Sequence, residues 1–189
     1  MTDMLYPVLE TERLRLEPIS QAHSDFIVQH FLNPIVQRFL YDAEPMTQPE
    51  EALGIIDFYL NATNDSYNRW VVVRKADNTP LGTCGFHKWD KAHRRNEIGY
   101  DLSPQFHGQG YMREAVKACL SHAFRRLQVH RVDAFVATDN ERSLHLLERL
   151  GFKREGLLRD YFWSGGVGYD HYILGLLKSD ADWLEAEQV

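Results

Sequence analysis

Residues 96–127, NEIGYDLSPQFHGQGYMREAVKACLSHAFRRL, read as a strand, a glycine-bearing loop and a helix in immediate succession. Asn96 to Leu102 has the composition and alternation of a strand. Met112, Ala115, Val116, Cys119, Leu120, Ala123 and Leu127 fall at intervals of three and four, which predicts a long helix with one continuous inner stripe. Between them lies Gln105-Phe106-His107-Gly108-Gln109-Gly110. The first amides of a helix lack internal partners and sit at the positive end of its dipole, and glycines let a phosphate approach the backbone closely. The segment is thus either a diphosphate trap or a plain loop with two permissive glycines.

Two rival phosphate motifs can be tested directly. Arg113 stands where a dinucleotide fingerprint wants glycine or alanine, and the neighbouring strands alternate with turns rather than crossover helices, which argues against a Rossmann site. No Gly-Lys-Ser/Thr sequence exists, which excludes the phosphate loop of an NTPase.

Upstream, Leu9 to Ile19 reads as one strand, with Leu14, Leu16 and Pro18 on one face and Arg13, Arg15 and Glu17 on the other. Ser20 caps a helical stretch that runs to Leu60 as two or three short helices broken at Pro34, Pro45 and Pro49. Arg69 to Lys75, a turn at Asp77 to Pro80, Leu81 to Trp89, a basic turn and Asn96 to Leu102 form an antiparallel meander. Downstream, Val132 to Ala137 is a buried strand, and Glu141 to Leu150 a short helix closed by Gly151 in a left-handed cap. Phe152 to Phe162 and Tyr169 to Leu177 pair as a hairpin around Ser164 to Gly168. The expected class is α+β, a mixed and mostly antiparallel sheet flanked by helices, in a single domain over residues 6–183.

The chain has 189 residues, 44% of them hydrophobic and 25% charged, enough for one domain with a substantial core. Met1 to Glu10 has no basic region followed by an apolar stretch, and apolar runs such as Trp70 to Val73 are too short to span a bilayer, so a cytoplasmic protein without a membrane partner is expected. Cys84 and Cys119 are far apart and suit core packing rather than a disulfide, a nucleophile or a zinc site. The nine histidines form no spaced cluster, and no metal is expected. A net charge of −6 argues against nucleic-acid binding and suits a cationic partner. Monomer and homodimer both stay open.

Gln105-x-x-Gly108-x-Gly110 resembles the loop with which GNAT acetyltransferases hold the coenzyme A diphosphate. The run from Asn140 to Gly151-Phe152 is similar to their second signature, an asparagine opening a helix that ends in Gly-Phe. Glu10-Thr11-Glu12-Arg13-Leu14-Arg15-Leu16, Glu97-Ile98-Gly99-Tyr100 and Asp170 before an apolar strand resemble the RimJ/RimL branch, which acetylates protein N-termini. The resemblance covers nearly the whole chain.

It implies an acetyl-CoA-dependent N-acetyltransferase, with acetyl-CoA as cosubstrate and direct attack by a bound amine in a ternary complex. The implied acceptor is a protein N-terminus such as that of a ribosomal protein. The alternatives are a polyamine or aminoglycoside acetyltransferase and a non-catalytic acyl-CoA-binding module. The backbone from Leu102 onward would pair with the pantetheine arm, and an N–H near Leu102 would hold the oxyanion. The loop opening at Gln105 would present the amides of His107, Gly108, Gln109, Gly110, Tyr111 and Met112 to the diphosphate, with the His107 imidazole left to solvent. Arg113 either neutralises phosphate or is a surface residue. Asn140 would bond the pantetheine amides or act only as a helix cap, with Thr138 and Glu141 offering a capping box. Glu97, on the same side of its strand as Asp101 and opposite Ile98 and Tyr100, is either the general base or a surface partner of Arg94 or Arg95. Leu147 stands where many relatives carry the tyrosine that protonates the thiolate, and Ser143 one turn earlier is the expected substitute. Tyr161, Phe162, Trp163, Tyr169 and Tyr172 form hairpin packing or a substrate wall.

Overall fold

The run Trp70-Val71-Val72-Val73 is apolar at every position because both of its faces are covered. In the computed structural model, which describes residues 5–41, 44–62 and 66–184, Trp70 and Val72 belong to one buried cluster and Val71 and Val73 to a second on the opposite side of the sheet.

The elements in chain order are β1 (Leu9–Glu10), β2 (Leu14–Pro18), α1 (Ser24–Phe31), α2 (Pro34–Gln37), α3 (Pro49–Leu60), β3 (Trp70–Arg74), β4 (Thr79–Asp90) and β5 (Arg95–Leu102). There follow α4 (Tyr111–Arg125), β6 (Arg131–Ala137), α5 (Glu141–Glu148), β7 (Lys153–Ser164) and β8 (Val167–Leu177). The eight strands form one sheet in the order β1-β2-β3-β4-β5-β6-β8-β7. Every neighbouring pair is antiparallel except β5 and β6. The expected α+β architecture, meander, long helix and terminal hairpin are all present. No helix among the described residues is long and apolar enough to cross a membrane.

The larger cluster packs α4 and α5 against one face: Met112, Ala115, Val116, Cys119, Leu120 and Ala123 meet Leu14, Leu16, Phe86, Val132 and Leu174. Cys84 and Cys119 are both buried there as free thiols. On the other face Ile27, Phe31, Ala52 and Ile56 of α1 and α3 cover Val71 and Val73.

One boundary differs from expectation. Leu9 to Ile19 is two strands, because the chain turns at Thr11 and β1 folds back on β2 with Leu9 opposite Leu16. The Thr11 hydroxyl accepts from the Leu14 N–H, and the Glu114 carboxylate of α4 accepts from the Thr11 hydroxyl and the Arg13 N–H. Local side-chain bonds of this kind offer the backbone an alternative to a strand ladder.

The feature that creates the site is the short β5–β6 seam. Only Arg95, Asn96 and Glu97 pair with β6, opposite Arg131, Val132 and Asp133. Beyond them β5 continues to Leu102 paired with β4 alone, while β6 continues to Ala137 paired with β8 alone. The sheet opens into a wedge between residues 98–102 and 134–137.

Candidate active site

The open edge of β5 supplies donors. The Ser103 N–H donates to Leu81 O of β4 at 2.8 Å. Because bonding direction alternates along an antiparallel strand, the N–H groups of Tyr100 and Leu102 point the other way, into the wedge. An extended ligand lying there would meet them as a strand would.

At the mouth of the wedge the chain makes a tight 3-10 turn at Pro104–Phe106 and enters α4 through Gly110, whose φ is +80°. Gly108, at φ +76°, has no heavy atom within 4 Å of where a Cβ would stand. No side chain caps α4. The amides of residues 108–113 have no partner among the described residues, and the space beside Gly108 is open, an arrangement that suits a diphosphate. His107 departs from the expected set, since its N–H donates to Pro104 O at 3.1 Å and is engaged in the turn. Its imidazole is not left to solvent either. Nε2 bonds Leu102 O at 3.0 Å and Nδ1 bonds the Arg142 guanidinium at 2.7 Å, a tie across the wedge mouth from α5. Gln105 is exposed, and its carbonyl accepts from the Gln109 side chain. Tyr111 and Met112 open α4, where Met112 buries its side chain and leaves its amide at the helix end.

On the opposite wall Asn140 is the N-cap of α5, and its Oδ1 accepts from the Ser143 N–H at 3.3 Å. The capping box expected from Thr138 and Glu141 does not form. Since the cap uses only Oδ1 and Nδ2 has no hydrogen bond among the described residues, cap and ligand roles are compatible. Ser143 faces β5, its Oγ 2.7 Å from the Tyr100 hydroxyl. Leu147 is fully buried in the core below.

The other side of β5 carries Glu97 and Asp101, as alternation requires. Asp101 is buried, with Oδ1 2.6 Å from His30 Nε2 and Oδ2 2.6 Å from Arg69 Nη2, and it accepts from the Thr83 hydroxyl and N–H. Burial pushes the Asp101 carboxyl up, but the His30 and Arg69 charges and the His30 and Thr83 hydrogen bonds outweigh it and hold it well below the usual carboxylate range. His30 also bonds Ser103 at 2.9 Å. His87, opposite Glu97, bonds the Tyr59 hydroxyl at 2.8 Å. Burial, then the Arg69 and Lys88 charges, push His87 down to about 3, so it is neutral at pH 7.

Glu97 has an ion-pair partner, but it is Lys88 at 3.1 Å rather than Arg94 or Arg95. The cause is a register shift in β4, where Lys88 takes φ +50°. The carboxylate is 22% exposed.

The aromatic residues divide between faces. Val132, Ala134 and Val136 point into the α4 core, so Phe135 points to the Glu97 side. There Tyr161 stacks on Phe135 at 5.0 Å, Phe162 meets His171 at 4.8 Å, and Tyr41 stacks on Tyr169 at 4.1 Å. Tyr172 is on the opposite face under Arg154, and Trp163 is 68% exposed. Strand alternation between Tyr169 and Tyr172 is the sequence signal that separates them. The contributions of His30, Arg69, His87 and Arg142 have no comparable local signal.

Comparison with known proteins adds three findings. Residues 13–153 match the family model described as Acetyltransferase (GNAT) domain. The chain is 35% identical to the uncharacterised N-acetyltransferase YoaA of Bacillus subtilis over 92% of its own length and 98% of that protein, and 27% identical to spermidine N(1)-acetyltransferase of Escherichia coli over 80% of each. The solved structure of spermidine N-acetyltransferase from Vibrio cholerae with CoA and spermine superposes with a TM-score of 0.80 at 23% identity, covering 90% of this chain and 99% of that one, a likeness of fold.

Proposed function

This chain belongs to the GNAT acetyltransferase family and is an acetyl-CoA-dependent N-acetyltransferase, and on that premise we propose that its acceptor is the α-amine of a protein N-terminus. The observation that carries the reading is the charge pairing of three carboxylates among the described residues on the acceptor side. Glu97 is matched by Lys88, Asp101 by Arg69, and Asp139 by Arg38. A polyamine presents several cations along one chain and calls for unmatched carboxylates. A peptide N-terminus presents one amine and a side chain for which the wall of Phe135, Tyr161 and Phe162 is suited.

In this reading the diphosphate sits on the amides from Gly108 to Met112 and the pantetheine arm runs inward along β5, bonding Asn140. The Leu102 N–H meets the arm first. The Tyr100 N–H, deeper in the wedge, is placed for the thioester oxygen, where a fixed donor stabilises developing negative charge. The amine loses a proton, attacks the carbonyl, and the C–S bond breaks. Glu97 takes the proton through water, since three residues of strand separate it from Tyr100 by about 10 Å. Ser143 meets the departing sulfur.

Glu97→Gln is expected to lower turnover at pH 7 by roughly a hundredfold, the lower end of general-base effects, with the affinity for acetyl-CoA unchanged. The deficit should shrink as pH rises and more amine is free. Wild-type turnover at pH 7 would make Glu97 a structural partner of Lys88 only.

Proton arithmetic supports the acceptor assignment. An α-amine has an ordinary pKa of about 7.7–8.0 and lysine about 10.4, so removing the proton at pH 7 costs roughly 1 and 4–5 kcal/mol respectively. We expect kcat/KM for a peptide with a free N-terminus and blocked lysines to exceed that for its N-blocked, lysine-bearing counterpart by at least about tenfold. The second reading, a small-polyamine acceptor, is favoured by the E. coli spermidine N(1)-acetyltransferase relative. Spermidine outperforming both peptides would establish it.

A further inference from the structure

The helix α5 carries no phenol, and the neighbouring strand offers one. Tyr100 projects from β5 toward α5, and its hydroxyl lies 2.7 Å from Ser143 Oγ. Residue 147, one turn beyond Ser143, is a leucine sealed in the core.

We propose that Tyr100 is a positioning residue that backs Ser143 in a two-step proton relay to the departing thiolate. The inference rests on the reading of Ser143 as the group that meets the sulfur.

The chemistry explains why a serine would need such a partner. A serine hydroxyl is no stronger an acid than water, with a pKa of about 15.7, whereas the thiol being formed has an ordinary pKa of about 8.5. Serine alone would give up its proton against a gap of about seven units. A phenol, at about 10 in water, narrows the gap to about 1.5 units, and burial, which raises the phenol, raises a thiol formed beside it as well. In the relay the S–H bond forms as the Ser143 O–H breaks, and the Ser143 O–H re-forms as the Tyr100 O–H breaks. The tyrosinate left behind regains a proton from solvent, which balances the one lost by the amine. Burial pushes the Tyr100 phenol up, with the Ser143 hydrogen bond opposing, so the phenol enters each turnover protonated and the tyrosinate is short-lived.

The test compares Tyr100→Phe, Ser143→Ala and the double variant by kcat with acetyl-CoA, coenzyme affinity by calorimetry, and a proton inventory in mixed H2O and D2O. We expect each single variant to lose about tenfold in kcat with coenzyme affinity unchanged, and the double variant to be no slower than the slower single. The inventory should be bowed for the parent protein, with two protons in flight, and linear for Tyr100→Phe. A Tyr100→Phe protein with parental kcat beside an impaired Ser143→Ala protein overturns the relay and leaves Ser143 as the acid. Ser143→Ala with parental kcat removes the Ser143 reading and the relay with it. Losses that multiply in the double variant also overturn the relay. Should Tyr100→Phe fail to fold, 3-fluorotyrosine at position 100 keeps the shape and acidifies the phenol. Its kcat should then shift by about twofold or more, and an unchanged kcat and inventory would count against the relay.

Discussion

Gly110→Val is expected to weaken acetyl-CoA binding about a hundredfold, or roughly 2.7 kcal/mol. Gly110 sits at φ +80°, where a β-branched residue is a steric outlier, and a Cβ there would come within 3.4 Å of Arg13 Nη2. Arg13 cannot easily withdraw, since Glu114 holds its Nε at 2.6 Å and Gln109 O accepts from its Nη1 at 3.1 Å. The loop would relax by turning the amides of residues 108–112 away from their common centre. Gly108→Val meets open space, so its effect comes from the φ of +76° alone and should be smaller. Calorimetry on both variants, with circular dichroism to confirm folding, reads the difference. Unchanged affinity in both would move the diphosphate to another part of the molecule.

Asp101→Ala should be the most destabilising of the substitutions considered. It strands the Arg69 guanidinium, 8% exposed, in a site whose other partners are the neutral His87 and the Thr83 hydroxyl. Removing one partner of a buried pair typically costs about 3–5 kcal/mol. For a domain of this size that lowers the melting temperature by roughly 10 °C. The pH dependence has a definite sign. The folded Asp101 carboxyl lies below its ordinary value, so its stabilisation is present above about pH 4 and is lost progressively as pH falls further. The variant should therefore lose less stability than the parent on acidification below that point. A melting temperature within about 2 °C of the parent at pH 7 would show that water replaces the carboxylate.

Much of the fold can be read from the sequence because it is written in short-range periodicities. The three-and-four spacing from Met112 to Leu127 gives α4, the alternation around Asn96 to Leu102 gives β5, and Gly151 at φ +98° marks the end of α5. The break in the first strand is less legible, since the local turn bonds between Thr11 and Leu14 are joined by Glu114, about a hundred residues away. The wedge is a further step removed. No residue of β5 encodes it, because it arises when β6 leaves β5 after three pairs and follows β8. As candidates, Glu97 follows from strand alternation and the glycine loop from its place before a helix, whereas Ser143 and Asn140 follow from the family resemblance and the partners of all four from neither. Lys88 reaches Glu97 through a register shift, and His30 reaches Asp101 from 71 positions away. Tyr100 lies between these cases. Its position opposite Glu97 on the strand follows from alternation, and its contact with Ser143 follows only from the packing of α5.

The three-pair seam between β5 and β6 makes the sheet an unfinished one. Its central strands carry backbone donors facing a gap, and a cosubstrate laid along them would supply the missing ladder much as another strand would. Binding and folding then share one free-energy scale: whatever occupies the gap in the native state alone raises the unfolding free energy by RT ln(1 + [L]/Kd), about 2.7 kcal/mol at a hundredfold excess over Kd. On this account the acyl donor is also a structural member of the protein, and the molecule is most completely folded when it is ready to react.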